Sequence, residues 1–429
     1  MKTTDQVRDY IRESREIGLG LLKPSACDLE HGLELHAESV ICDAYGFSPR
    51  AALDSEALNA LVEAGASAVE FREAQEEMIM TRCLTDAGQR AEFQAAWEAA
   101  GVTCLFQNAG TEDRPPLAML KRLAHYTLVT DLLDGFIEKA VTPGAIPAAK
   151  AAGRRCLYLT CNGLPLPGRL VSVAEELSLL KIFFELGCRM MHLTYNRRNL
   201  LGDGCGESAD AGLSDFGRQA IAEMNRAGLI VDVAHSGQRT SLEAARASAR
   251  PAVASHSVCA GLNDHIRGKG DDVVRALADS GGYIGICGVP QFLGGRGDIT
   301  AFLDHIDYAV GRFGDDHVAI GTDRAYHSVL SQSERARLGP VPAGSNNWQS
   351  LWPAGSLPYR PDWQKPEQLR SLEWTNWPLF TVGLVQRGHS DERIRKIIGL
   401  NVLRVARANF PYDRYPGLAV PETGAAPAD

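Results

Sequence analysis

Between residues 39 and 323 the chain passes through nine short apolar runs, and stretches of helical spacing separate most of them. The runs are Ser39–Asp43, Ser67–Phe71, Val102–Gln107, Arg155–Cys161, Arg189–Thr194, Leu229–His235, Ala252–His256, Gly282–Cys287 and His317–Asp323. Most are rich in Val, Ile, Leu or Cys, the composition of strands buried on both faces. Val173–Leu186, Asp215–Ala227, Gln238–Ala247, Asp272–Ser280 and Ile299–Phe313 carry apolar residues at helical intervals. Strand and helix in alternation mean parallel strands with helical crossovers. About eight such units predict an α/β fold, a single closed (β/α)8 TIM barrel rather than an open doubly wound sheet. One of the nine runs is then surplus. Ser214 and Ser236 stand where helices should be capped, and Gly187, Gly228 and Gly281 where helices should stop.

The expected organisation is an N-terminal helical segment over 1–36, the barrel over 37–410 and a tail over 411–429. The tail is rich in Pro, Ala and Gly, and is expected to fray from Pro416. A Trp-rich insertion over 333–377 interrupts the pattern, with Trp348, Trp352, Trp363, Trp374 and Trp377. Aromatic density of that kind suits either a lid over the barrel mouth or a contact between subunits. A homodimer is one expectation that follows. A last helix, Asp391–Ala408, closes the barrel.

The charge balance is 44 basic against 53 acidic residues, a formal net charge of −9. Nucleic acid needs a basic footprint, so it is not an expected partner. No run reaches the roughly 18–20 apolar residues of a membrane span. Met1–Glu16 is polar and lacks the apolar core of a secretory leader. Ten cysteines without a CxxC spacing read as reduced thiols, which points to the cytoplasm.

Active sites of such barrels sit at the C-terminal ends of the strands. Two of the runs end in His235 and His256, and a later one ends in Asp323. Imidazole is the commonest metal ligand and proton shuttle, and a nearby aspartate can act as base or anchor. Arg155–Cys161 ends in Cys161, followed by Asn162 and Gly163. Arg189–Thr194 leads into Tyr195 and Asn196. The forked guanidinium of Arg267, eleven residues past His256, suits a substrate carboxylate. His125, His192, His265, His305, His317, His327 and His389 read as structural or surface residues, with His265 and His327 within reach of the mouth. The Gly-rich loop from Arg197 to Glu207 reads either as a source of substrate contacts or as a structured loop held by Asp203 and Glu207.

The blocks Gly212–Gly237 (GLSDFGRQAIAEMNRAGLIVDVAHSG), Pro251–Gly268 (PAVASHSVCAGLNDHIRG) and Asp315–Asp323 (DDHVAIGTD) resemble the renal, or membrane, dipeptidase family. Gly399–Arg407 (GLNVLRVAR) resembles that family's final helix, and the likeness runs over roughly residues 37–410. The resemblance implies a metal-dependent hydrolase on a (β/α)8 barrel that binds two zinc ions and cleaves dipeptides. It implies that His235 and His256 hold one zinc, that Arg267 binds the substrate carboxylate, and that Asp323 holds the amino end and handles protons.

The departures from the family pattern are equally specific. Tyr45 and Phe47 stand where the first strand should supply a His-x-Asp pair. Cys161 or Asn162 stands at the bridging glutamate, and Tyr195 at the substrate-binding histidine. Without those carboxylates a two-zinc site should not form. The expectation is at most one zinc, held by Cys161, His235, His256 and water, or none. Tyr45, Tyr195 and Asn162 would then line the substrate pocket beside Arg267.

Three functions remain open on the sequence. One is a dipeptidase-like hydrolase acting on a dipeptide or N-acyl amino acid. Another is a metal-independent lyase or isomerase using His235, His256 and Asp323 on a small carboxylate. The third is a non-catalytic ligand-binding homologue.

Overall fold

The computed structural model describes residues 2–110, 115–344 and 348–418. Eight parallel strands follow one another in chain order. They are β1 (Cys42–Gly46), β2 (Cys104–Asn108), β3 (Arg155–Cys161), β4 (Cys188–His192), β5 (Ile230–Asp232), β6 (Ala254–Cys259), β7 (Ile284–Ile286) and β8 (Val318–Ile320). β1 to β5 pair in sequence, as do β6 to β8. The two sheets meet where Val253 exchanges backbone hydrogen bonds with Val231 (2.9 Å) and Val233 (2.8 Å). On the other side, Asp323 N–H donates to Tyr45 O (2.9 Å) and Phe47 N–H to Arg324 O (3.0 Å). Every residue of the eight strands but Arg155 is buried, as expected for a barrel filled within and covered by helices. Short strands at Ile137–Lys139 and Gly268–Lys269 flank β3 and β6.

The surplus run is Ser67–Phe71, which opens the helix Ala68–Thr85. Ser67 and Glu70 form a reciprocal capping box there, so the backbone N–H groups of a helix start are satisfied. The helices Asp215–Ala227, Gln238–Ala247 and Ile299–Phe313 lie where their spacing put them. Ser214 caps the first of these through Gly217 N–H, and Gly228 ends it at φ +91°. Ser236 does not cap: Gly237 is the cap residue, and the Ser236 hydroxyl pairs with Thr194 instead. β1 lies later than Ser39–Asp43, which puts Tyr45 inside the strand.

Helices Lys2–Leu22 and Ala26–Glu38 precede the barrel, and the second packs on the helix Trp377–Gln386. A Cβ at Gly32 would lie 2.6 Å from Val382 Cα, so glycine permits this approach. The predicted final helix is three pieces: Asp391–Arg395, a π-turn at Lys396–Leu400, and Asn401–Asn409. Pro416–Leu418 forms one 3-10 turn, and the tail from residue 419 lies outside the described residues. No helix among the described residues is long and apolar enough to cross a membrane.

Four of the five tryptophans of the segment 333–377 separate into two groups. Trp374 and Trp377 are core residues, each 0 % exposed, and both indole N–H groups donate to Asp43 Oδ2 (3.1 and 3.3 Å). Trp348 and Trp352 instead wall the cavity at the barrel mouth.

Candidate active site

A cavity of about 1060 Å³ opens at the C-terminal ends of the strands. Tyr45, Asn162, Tyr195, His235 and Asp323 line it, together with Trp348 and Trp352. His235 lies three residues past β5, and His256 lies within β6 rather than at its end. Their Nε2 atoms stand 3.0 Å apart.

The hydrogen-bond partners set both tautomers. His235 Nδ1 lies 2.7 Å from Asn196 Oδ1, an acceptor. His256 Nδ1 lies 2.7 Å from Ser255 Oγ, whose own hydrogen goes to Asp232 Oδ2. Both Nδ1 atoms therefore donate, and in the neutral rings both Nε2 lone pairs face the same point. Burial, and then the Arg267 charge, push both histidines well below the usual imidazole range, so they are neutral. Burial alone would raise the Asp232 carboxyl. His192 and the Ser255 hydrogen bonds outweigh it and hold that carboxyl below its ordinary value.

Aromatic rings fix the imidazoles from the sides. Tyr45 stacks on His256 at 3.7 Å and 10°, and Tyr195 on His235 at 4.0 Å and 22°. The Tyr45 hydroxyl donates a short hydrogen bond to Asn162 Oδ1. The Tyr195 hydroxyl accepts from Trp348 Nε1 at 3.0 Å.

Asp323 is half-buried on the cavity wall. Its backbone is left-handed at φ +54°, a conformation that costs a non-glycine residue about 1 kcal/mol or more. Burial raises its carboxyl to about 6, against the lowering pull of Arg267 and His192.

Three predicted residues are placed differently from expectation. His256 is 0 % exposed and, packed against Tyr45, does not line the cavity itself. Cys161 is not brought to the imidazoles. Its thiol lies 3.2 Å from that of Cys188 inside the apolar core, and burial raises it far above the range of a ready thiolate. Asn162, the next residue, takes the place on the cavity wall. Arg267 is 0 % exposed and does not line the cavity. Its Nη2 and Nε donate to the carbonyls of His256 (2.7 Å) and Ala234 (3.2 Å), so it braces the two histidine segments. Its Nη1 is buried without a partner. In the loop from Arg197 to Glu207, buried Asp203 takes Arg198 and Ala211 N–H, and none of those residues lines the cavity. That loop is a clamp.

Sequence reasoning passed over His192 and Asp232. His192 Nε2 lies 2.7 Å from Asp232 Oδ2, both buried beneath His256. Among the described residues, His192, Asp232 and His256 form the group whose ligand atoms all lie within 4.8 Å. Asp232 alternates inward with Ala234 along β5 and the turn after it, a position the strand period could have singled out.

The residues do not fit two zinc ions. Tyr45 packs its ring against His256, and Phe47 carries no donor atom, so the half-site of the first strand is aromatic. For one ion they offer His235 and His256 as two ligands, with His192 and Asp232 grouped around His256. Two converging imidazole lone pairs 3.0 Å apart approach the separation of about 3.3 Å expected for two ligands on one tetrahedral zinc.

Comparison with known proteins gives the family and the fold. The family model described as membrane dipeptidase (peptidase family M19) matches residues 99–332. The chain is 28 % identical over 244 residues to dipeptidase tcpJ of Claviceps purpurea, covering 56 % of this chain and 48 % of that protein. It is 32 % identical over 270 residues to an uncharacterized dipeptidase of Schizosaccharomyces pombe, covering 61 % of this chain and 55 % of the other. The matches thus span about half the length of those relatives. A crystal structure described as an amidohydrolase from Pseudomonas aeruginosa shares the fold at a TM-score of 0.63 and 22 % identity, over 88 % of this chain and 99 % of that one. With a match over more than half of its length, and with His235 and His256 converging at a barrel mouth, the chain belongs to the membrane dipeptidase family.

Proposed function

We propose that this mouth hydrolyses the amide bond of a dipeptide or an N-acyl amino acid, with at most one divalent ion at His235 and His256. The observation that carries the reading is the pair of Nε2 lone pairs meeting 3.0 Å apart, His235 on the cavity wall and His256 buried against Tyr45, each oriented by a donor bond from the opposite ring nitrogen. Family membership supports the reaction class. An ion there would supply Lewis-acid polarisation of the scissile carbonyl.

The chain's own groups do the rest. Asp323, with a carboxyl raised to about 6, takes and returns a proton near neutral pH. The Ser255–Asp232 relay and Asn196 keep the imidazoles aimed. Tyr45, Tyr195, Trp348 and Trp352 wall the substrate and exclude water. All ten cysteines are free thiols, which supports a reducing compartment such as the cytoplasm.

The test is elemental analysis of protein purified without chelators, together with a panel of dipeptides and N-acetyl amino acids. About one zinc per chain is expected, lost in His235→Ala and in His256→Ala together with hydrolysis. Metal-free protein that hydrolyses nothing in the panel would sink the proposal. The aromatic filling of the first-strand half-site favours a metal-independent acid–base enzyme as the second reading. Proton exchange or elimination on a small carboxylate, abolished by His256→Ala in metal-free protein, would establish it.

A further inference from the structure

The chain is acidic overall, yet its cavity is not. Six arginines line it, Arg50, Arg72, Arg122, Arg324, Arg335 and Arg370, against Glu76, Asp323 and Glu373. Arg122 is paired with Glu76 at 3.0 Å, and Arg370 lies 3.9 Å from Glu13. Arg50, Arg72, Arg324 and Arg335 have no carboxylate partner among the described residues. Asp323 shares the wall of Arg50 and Arg324, and six guanidinium groups against three carboxylates leave the concavity net positive, so it attracts a ligand with more than one negative charge.

Two of these arginines are placed by the backbone. The segment after β1 runs beside the segment after β8, through Asp323 N–H to Tyr45 O, Phe47 N–H to Arg324 O, Arg50 N–H to Tyr326 O (2.8 Å) and Ser328 N–H to Arg50 O (3.0 Å). This ladder fixes Arg50 and Arg324 on the same wall as Asp323. The Arg50 guanidinium lies 4.5 Å above the Phe47 ring, which orients it. Arg324 spends Nη2 on the Leu369 carbonyl at 3.2 Å, and its Nε is buried without a partner. A buried guanidinium N–H without an acceptor is a cost that a bound anion removes. Arg267 is outside the cavity, so a substrate carboxylate entering the mouth meets Arg50 and Arg324 first.

We propose that Arg50 and Arg324 form an anion subsite beside Asp323 and that the substrate is dianionic, an acidic dipeptide or an N-acyl derivative of an acidic amino acid whose side-chain carboxylate docks there. The proposal rests on the reading of the mouth as a substrate site, so its test reads binding separately from turnover.

Isothermal titration of the full chain with N-acetylglutamate and N-acetylglutamine, each as the L and the D form, isolates one carboxylate at constant shape. Binding of one glutamate form about tenfold tighter than of its glutamine counterpart is expected, the size of a charge-assisted hydrogen bond. Arg324→Met and Arg50→Met, which keep the apolar stem, are each expected to remove most of that preference. Thermal melts confirm that both variants are folded, and Arg324→Lys should retain part of the preference if the charge is what matters. Equal binding of the two probes, binding of neither, or a preference that survives in both methionine variants overturns the subsite. Tighter binding of N-acetyl-O-phosphoserine than of either glutamate form overturns the carboxylate assignment. If glutamate binds selectively but no dipeptide or N-acyl amino acid is cleaved, the hydrolase reading fails and the subsite stands.

Discussion

At Asp323 a single carboxylate combines a left-handed backbone, a cavity-facing side chain and a value raised by burial to about 6. A base works only when unprotonated. The rate should therefore be full above that value and fall as pH drops through it. A pH profile of kcat/KM should show an acid limb with a midpoint near 6. Asp323→Asn should cost about a hundredfold or more in kcat/KM, with little loss of folded protein by circular dichroism. A profile flat down to pH 4 would remove Asp323 from the chemistry. This residue was legible in the sequence, because strand-end position and residue type suffice to single it out. Cys161 was not, because one step along a strand reverses the face a side chain occupies. The residue beside it, Asn162, faces the cavity instead.

At the scale of elements, the joint between β1 and β8 depends on one buried carboxylate. Asp43 accepts from Thr322 N–H (2.9 Å), Thr322 Oγ1 (2.6 Å) and the indole N–H groups of Trp374 and Trp377. Tyr45 N–H donates to it as well (3.4 Å). Replacing it by alanine strands five buried donors, and Asp43→Ala should destabilise by about 3 kcal/mol or more in urea melts. A loss under about 1 kcal/mol would mean that water serves those donors equally well. Helix Ala68–Thr85 offers a second test. In a strand, Ser67 would be an ordinary residue. As a cap, Ser67→Ala should cost about 1 kcal/mol. The signal was present in the spacing of Ser67 and Glu70, but an apolar run of five residues fits a buried strand as well as a helix start.

For the whole molecule, buried titratable groups set the response to acid. Burial lowers His36 and His265 to about 4 and His327 to about 3, lowers His305, and lowers His235 and His256 well below their ordinary value. The unfolded chain takes up these protons as pH falls below 6.5, ahead of the folded chain, so stability is lost with falling pH. Asp43 and Asp323 act in the opposite sense. Both are raised to about 6, so the fold binds their protons before the unfolded chain does. Between pH 6 and 4 the lowered histidines outnumber these two carboxyls, so the balance favours unfolding. Stability should then fall by about 1.4 kcal/mol per pH unit for each proton of that excess. Urea midpoints at pH 7, 6, 5 and 4 check this, and a midpoint that rises toward pH 5 would reverse the assignment of the histidines.

By itself, the sequence singled out the eight barrel strands in order, the barrel, and His235 and Asp323 on the cavity wall. These follow from local periodicity and from which residues end each run, information carried within a few positions of the chain. The family resemblance also set the expectation that Tyr45, Phe47 and Cys161 or Asn162 stand in place of metal ligands. Only the tertiary structure decided what the replacements do. Tyr45 stacks on His256 and bonds Asn162, partners 211 and 117 positions away. The Trp-rich segment divides between core and cavity, because barrel closure draws Trp374 and Trp377 onto Asp43 while Trp348 and Trp352 reach the mouth. The role of Arg267 as a brace and the cationic wall at Arg50 and Arg324 arise the same way. Burial and charge pairing depend on the neighbours that the closed barrel assembles, and no local pattern encodes them.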